Sequence, residues 1–478
     1  MSAAPTSCWN SKYAWLQIER CSPPKRAPDE RVNDFAEIYL SYSESAVRDQ
    51  ASRCIQCPNA MCVAGCPLAN RIPEWLALAS EGDFLGAAAV SGATSNMPEI
   101  CARICPHERL CEGACILNGR AEPVAIGAVE CFINEYALSR GAVTAATEPP
   151  NGLGVAVVGS GPGGFACADE LARRGFAVTM LESQSTPGGL LANGIPGFKL
   201  DKAVVARRIG LLRRRGVKLR LGVRVGWDLS LRELQDSFDA VFIGTGAQQG
   251  KALDVPGAGL RGVVQALPFL VDANAPHPAG GPSLDLEGKR VVVLGGGDTA
   301  MDCLRTAIRC GAREARCLYR RDLANMPGAR QEYANAVDEG AAFQFLTKPV
   351  RIEGTGAGGV SRVHCVRMEL GQAGAGGRRV PVPVPGLDFA VEADVVIVAY
   401  GFDPVPFPPG SDLCGVPTNE WGGIVVDSDQ MTRTPGVFAG GDSTRGPSLV
   451  VHAVRDGRRA ALGIMRYRKT EGAEPPGA

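Results

Sequence analysis

Apolar positions fall into two textures along the chain. Through residues 30–145 they recur near helical spacing, in "NDFAEIYLSYSESAVRDQASRC", "RIPEWLALASEGDFLGAAAV" and "VAIGAVECFINEYAL". That period places apolar side chains on one buried face, so this stretch predicts a helical domain. Pro73 sits where a first helical turn tolerates proline. After "TEPPNG" (147–152) the pattern changes to short apolar runs alternating with amphipathic stretches. That is the texture of strands and helices in turn.

"GVAVVGSGPGGFACADELARRGFAVTMLE" (154–182) predicts strand, glycine-rich turn, helix and strand. "KRVVVLGGGDTAMDCLRTAIRCGAREARCLYRR" (289–321) repeats the plan. Each is followed later by a strand ending in glycine, "DAVFIGTGA" (239–247) with Gly246 and "ADVVIVAYGF" (393–402) with Gly401. The chain therefore carries two copies of a nucleotide-binding unit. The glycine-rich segment 354–379 predicts a loose surface hairpin. The expected fold is α/β with an N-terminal all-α domain and two Rossmann-like dinucleotide-binding domains. Expected boundaries are 1–148 for the helical domain and 149–265 plus 403–478 for the first dinucleotide domain. The second dinucleotide domain spans 266–402.

The first loop spells G-x-G-x-x-G with Gly159, Gly161 and Gly164, with Gly163 extra. Alone this is a weak signal. Here it follows a strand and opens a helix, so its backbone can close on a pyrophosphate at the positive helix N-terminus. Glu182 ends the next strand, where an acid accepts hydrogen bonds from a ribose hydroxyl. A ligand-free tight turn is the bland alternative, and the complete pattern with its acid disfavours it. The second loop has Gly295, Gly297 and Ala300, with Asp298 and Thr299 at the helix start. No acid follows its next strand; Arg320 and Arg321 stand there instead. Guanidinium groups bind a 2′-phosphate bidentately, so this unit is expected to prefer NADPH over NADH.

Composition removes several classes. Lys plus Arg and Asp plus Glu both total 50, giving zero net charge and no nucleic-acid signature. No apolar run approaches a membrane span, and the N-terminus shows no secretory h-region, so a cytoplasmic protein is expected. Seventeen cysteines, an odd number, disfavour a disulfide framework. Eight of them lie in two sets: Cys54, Cys57, Cys62 and Cys66, then Cys101, Cys105, Cys111 and Cys115. Zinc sites usually show regular C-x2-C pairs. These sets are irregular, and each contains a Cys-Pro, as in runs whose last cysteine serves a neighbouring iron–sulfur cluster. Two [4Fe–4S] clusters are favoured; zinc and free thiols are the alternatives. Two dinucleotide sites in one chain leave the chemistry to the bound cofactors, so no catalytic acid–base dyad or nucleophile is expected. The second unit also lacks a C-x-x-C pair, since Cys303 and Cys310 are seven apart, which argues against disulfide reduction.

Near the C-terminus, "TPGVFAGGDSTRGPSLVVHAVRDGRRAA" resembles the FAD-binding motif of two-dinucleotide flavoproteins. The resemblance implies that Gly441 and Asp442 meet the ribityl–phosphate region of FAD, with a helix starting near Ser448 and Leu449. It also implies that the first loop holds FAD and that "PGGLLANGIPGFKL", with Gly189 and Leu190, lines the flavin. Over nearly its whole length the chain resembles the small (β) subunit family of NADPH-dependent glutamate synthases. The residues that carry this are "CIQCPNAMCVAGCPLANRIPEWL", "ICPHERLCEGAC", "VVGSGPGG", "GGGDTAMDC" and "YRRDLANMPG" together with the C-terminal motif. Dihydropyrimidine dehydrogenase and NADH-dependent ferredoxin:NADP+ oxidoreductase share the module. The family implies electron input from NADPH through FAD and two [4Fe–4S] clusters to a large (α) partner subunit. It implies that Cys54, Cys57, Cys62 and Cys115 hold one cluster, and Cys66, Cys105 and Cys111 three corners of the other. Glu130 is the implied fourth corner, with Cys101 its competitor. "HERL" (107–110) departs from many glutamate synthase small subunits, which leaves a ferredoxin- or pyrimidine-reducing partner as the alternative acceptor.

Overall fold

The computed structural model describes residues 13–275, 283–374, 377, 379–404 and 411–471. Residues 1–12, part of the stretch read for a secretory leader, lie outside the described residues. The expected plan holds: a helical N-terminal domain precedes two α/β units. The helices do not run as far as the apolar period suggested. In the stretch 33–54 the helix is only Glu44–Ser52, because Ser43 caps it by accepting the Ala46 N–H at 3.2 Å. The stretch 71–90 divides in two. Gly82, at φ 91°, ends helix Ile72–Glu81, and Asp83 caps helix Phe84–Thr94 by accepting the Gly86 N–H at 2.9 Å. Trp75, Leu76, Phe84, Val129 and Ile133 bury the shared face of these helices and helix Ile126–Ser139.

Each α/β unit is built on a five-stranded parallel sheet. The first runs Val437–Ala439, Ala240–Ile243, Gly154–Val158, Ala177–Glu182, Lys218–Leu221. The second runs Val263–Gln265, Val395–Val398, Arg290–Leu294, Glu314–Tyr319, Ala342–Phe345. In both, the strand before the glycine loop is central, and strand order reverses beside it. That reversal opens a crevice at the strands' C-terminal ends. Strand Val263–Gln265, just ahead of the 265/266 boundary expected from sequence, pairs within the second sheet. The two connections between units lie side by side, Gln249–Gly250 pairing antiparallel with Phe402–Asp403.

Segment 354–379 is not one loose hairpin. It contains Val360–Ala373, the middle strand of an antiparallel sheet with Thr347–Gly354 and Arg379–Glu392. The glycines flank a strand whose Val363 and Cys365 are fully buried against Val292 and Val396. Their density masked the alternation between them.

Contacts between the parts are extensive. Helix Pro98–Ile104 puts Met97, Ile100 and Cys101 into the core of the first sheet. Beside it, Arg208 donates to both oxygens of buried Glu99 at 2.8 and 2.5 Å. The N-terminal segment binds both units: the Ile38 N–H donates to the Phe198 carbonyl at 3.3 Å, and Tyr39 hydrogen-bonds Asn335. Arg31, Arg305 and Arg309 converge on Glu339 in the second unit.

Candidate cofactor cleft and thiol clusters

A continuous cleft of about 1840 Å³ runs from the first glycine loop to the second and reaches the turn Cys105–Arg109 of the helical domain. Sites for a single ligand are typically about 300–1000 Å³, so there is room for more than one.

The glycines of the first loop divide by role. A Cβ at Gly159 would lie 2.4 Å from the Gly244 carbonyl oxygen, and one at Gly164 2.0 Å from that of Gly159. Those two glycines are required by the fold itself. A Cβ at Gly161 would meet nothing within 4 Å. The fold itself does not require glycine there. The second loop repeats this: Gly295, at φ 144°, packs against the Ala399 carbonyl, while Gly297 faces open space. Gly161, Gly163, Gly189, Leu190 and Gly246 line the cleft, as do Gly297, Asp298 and Thr299. Gly164, Gly295 and Gly401 do not line it.

Glu182 is buried at the end of its strand. Its Oε2 accepts from the Ser160 N–H at 3.0 Å and the Ser160 hydroxyl at 2.6 Å; its Oε1 accepts from the Gln184 N–H at 2.9 Å. Ser160, which sequence reasoning did not single out, thereby ties the acid to the glycine loop. The signal was the serine set between Gly159 and Gly161. Across the cleft, Asp442 opens a short helix after Gly441, and burial pushes its carboxyl up to about 7. The Ser448 N–H donates to its Oδ1 at 3.1 Å, and Ser448 and Leu449 line the same wall. Arg445 donates to fully buried Asp456 at 2.6 and 2.7 Å, fixing this turn to helix Val450–Glu471.

Lys199 of the first unit bridges to the second through Asp302 at 2.9 Å and Glu332 at 3.6 Å. Burial opposes its charge, but the two carboxylates more than offset that and raise its pKa. Arg320 and Arg321 stand at the end of strand Glu314–Tyr319, outside the cleft wall. Arg320 is exposed beside Tyr400, and Arg321 donates to the Arg379 carbonyl at 2.8 Å.

Among the described residues no three His, Cys, Asp or Glu side chains close to single-ion distance. The eight thiols instead form two wider groups. Cys54, Cys57, Cys62 and Cys115 line one small apolar cavity with Leu76, Val124 and Ile126. Burial pushes Cys54 up to about 11 and Cys62 up to about 12. In the other group the Cys105 thiol hydrogen-bonds Cys101, and the Glu130 carboxylate helps to raise the thiols of Cys66 and Cys111. Burial raises the Glu130 carboxyl to about 7. Its Oε1 accepts from Asn70 and Ser91, each at 3.0 Å. Glu130 acts electrostatically on Cys66, Cys105 and Cys111, and Cys101 on Cys66 and Cys105. Buried thiols stay protonated unless a cation draws the proton off, so a soft donor set with raised pKa values suits a resident metal cluster.

Two dinucleotide folds facing one cleft, with thiol groups alongside, define a pyridine-nucleotide oxidoreductase joined to an iron–sulfur domain. Residues 153–457 match the pyridine nucleotide-disulphide oxidoreductase family, and residues 31–142 match dihydropyrimidine dehydrogenase domain II, 4Fe-4S cluster. The chain belongs to the glutamate synthase small-chain family of these oxidoreductases. It is 46% identical to the glutamate synthase [NADPH] small chain of Azospirillum brasilense over 463 residues, covering 95% of each chain. It is 43% identical to the putative oxidoreductase AegA of Escherichia coli strain K12 over 462 residues, covering 94% of this chain and 70% of that one. Its fold is like that of Mycobacterium tuberculosis FprA in complex with NADPH, with TM-score 0.57 and 23% identity over 69% of this chain and 87% of that one. Among the described residues no helix is long and apolar enough to cross a membrane.

Proposed function

We propose that this chain is the electron-input subunit of a glutamate synthase. It takes a hydride from NADPH and delivers electrons to a large partner subunit that makes glutamate from 2-oxoglutarate and glutamine. The observation that carries this is the single cleft joining both glycine loops to the Cys105 turn. FAD would be held by the first loop, Glu182, Gly189, Leu190 and Asp442. NADPH would be held by the second loop, with Arg320 and Arg321 toward the 2′-phosphate. Cys54, Cys57, Cys62 and Cys115 would hold one [4Fe–4S] cluster. Cys66, Cys105 and Cys111, with Glu130 or Cys101, would hold a second. When bound, these groups supply two-electron acceptance and one-electron relay. The protein's own part is to orient the two nucleotides across the cleft and to keep the thiols dry.

A reductase for a different acceptor is the second reading, favoured by the similarity to AegA. The test is glutamate formation from NADPH, 2-oxoglutarate and glutamine, with and without the candidate large subunit. Glutamate formed only with both chains supports the first reading. NADPH-driven dye reduction without glutamate under any pairing would transfer support to the second.

A further inference from the structure

The structure gives the segment "HERL" (107–110) a definite place. It belongs to the helical domain but lies against the phosphate end of the second glycine loop. The Arg109 Nη1 donates to the Pro327 carbonyl at 2.6 Å, and its Nη2 reaches Asp298 Oδ2 at 3.4 Å. Beside it, Glu108 accepts the Arg330 N–H at 3.1 Å. Asp298 is the first residue of helix Asp298–Arg309, next to the open position at Gly297. Its Oδ1 already accepts the Ala329 N–H at 2.7 Å. Its other oxygen therefore points a negative charge into the region where a helix N-terminus and glycine backbone would receive a pyrophosphate. Arg109 is the cation set against that charge. Its side chain is 43% exposed, and both it and Asp298 line the cleft.

We propose that Arg109 is a nucleotide-binding residue supplied by the iron–sulfur domain, offsetting Asp298 and contacting the pyrophosphate of the pyridine nucleotide. This rests on the reading that the second loop holds NADPH. As a clasp between domains the Arg109–Asp298 pair contributes little, because one long, exposed ion pair is weak. As a phosphate contact it contributes much more, because a guanidinium donates charge-assisted bonds to phosphate oxygens. The recognised feature is the pyrophosphate, common to NADPH and NADH. Arg320 and Arg321 are the groups that would tell them apart.

The test is calorimetric binding of NADP+ and of 2′-AMP, which lacks the pyrophosphate, to the holoprotein with its flavin and iron counted. Arg109→Ala should weaken NADP+ binding about tenfold to a hundredfold and leave 2′-AMP within twofold, with flavin and iron unchanged. Asp298→Asn, which keeps the acceptor for Ala329 but removes the charge facing Arg109, should tighten NADP+ severalfold with flavin and iron unchanged. The inference is overturned alone if wild type binds NADP+ and Arg109→Ala binds it equally well. Equal loss for NADP+ and 2′-AMP would also overturn it, by showing a structural role. Wild-type protein that binds neither probe would overturn the nucleotide reading itself, and this inference with it.

Discussion

Glu339→Gln probes the joint where the N-terminal segment meets the second unit. Glu339 Oε1 accepts from Arg31 at 2.8 Å and Arg305 at 2.9 Å, and Oε2 from Arg305 at 2.9 Å and Arg309 at 2.6 Å. The side chains of Glu339, Arg305 and Arg309 are fully buried. Burial alone would raise the carboxyl, but the bonds from Arg305 and Arg309 prevail and hold it at about 2, against an ordinary 4.5. At about 1.4 kcal/mol per unit, that depression corresponds to about 3 kcal/mol. The neutral amide removes the carboxylate that Arg31, Arg305 and Arg309 share. Arg305 keeps Glu332 at 2.7 Å and Arg31 keeps Asp338 at 3.5 Å, so the cost falls at the lower end of the about 3–5 kcal/mol of a broken buried pair. Both routes give the same order. Hydrogen exchange is the assay, since it reports opening free energies element by element. Amides of helices Asp298–Arg309 and Arg330–Asp338 should exchange about 100-fold to 1000-fold faster in the variant at pH 7. A depressed pKa stabilises above the unfolded value and is lost as pH falls through the folded one. The gap between wild type and variant should therefore close from about pH 4.5 down to about pH 2. A change under about fivefold at pH 7, roughly 1 kcal/mol, would refute the reasoning.

Arg320→Ala with Arg321→Ala should raise the Michaelis constant for NADPH far more than for NADH; equal rises would sink the 2′-phosphate role. Gly161→Val should fold with the thermal stability of flavin-free wild type, since nothing lies within 4 Å of its Cβ, and purify without flavin. A yellow Gly161→Val protein at wild-type flavin content would show that the first loop does not take the cofactor. Cys101→Ser and Glu130→Gln, each followed by iron counting, separate the two fourth-corner candidates. Loss of a whole cluster in Cys101→Ser alone would remove Glu130 from that position.

The strand–loop–helix units were legible because glycine spacing, the terminal acid and the apolar runs are local signals that agree with one another. The structure brings Cys54, Cys57, Cys62 and Cys115 to one cavity, although Cys115 is 53 residues beyond Cys62. Helix starts were less legible. Apolar spacing continues through residues 33–42, and only the Ser43 cap shows where the helix begins. Contacts between parts were not legible at all. Nothing around Arg31 or Arg109 announces a partner 308 residues away at Glu339 or 189 residues away at Asp298. Such pairs are fixed by how finished domains meet, and no local pattern encodes them.

The order of strands in the first sheet sets an order of events during synthesis. Its edge strand, Val437–Ala439, follows the whole second unit in the chain. The ribosome therefore releases a complete second unit while the first still lacks a strand and helix Val450–Glu471. Domains fold as units once their residues are available. The unit begun second is finished first, and Gly161 acquires its facing wall of Gly441 and Asp442 only after the whole second unit has emerged.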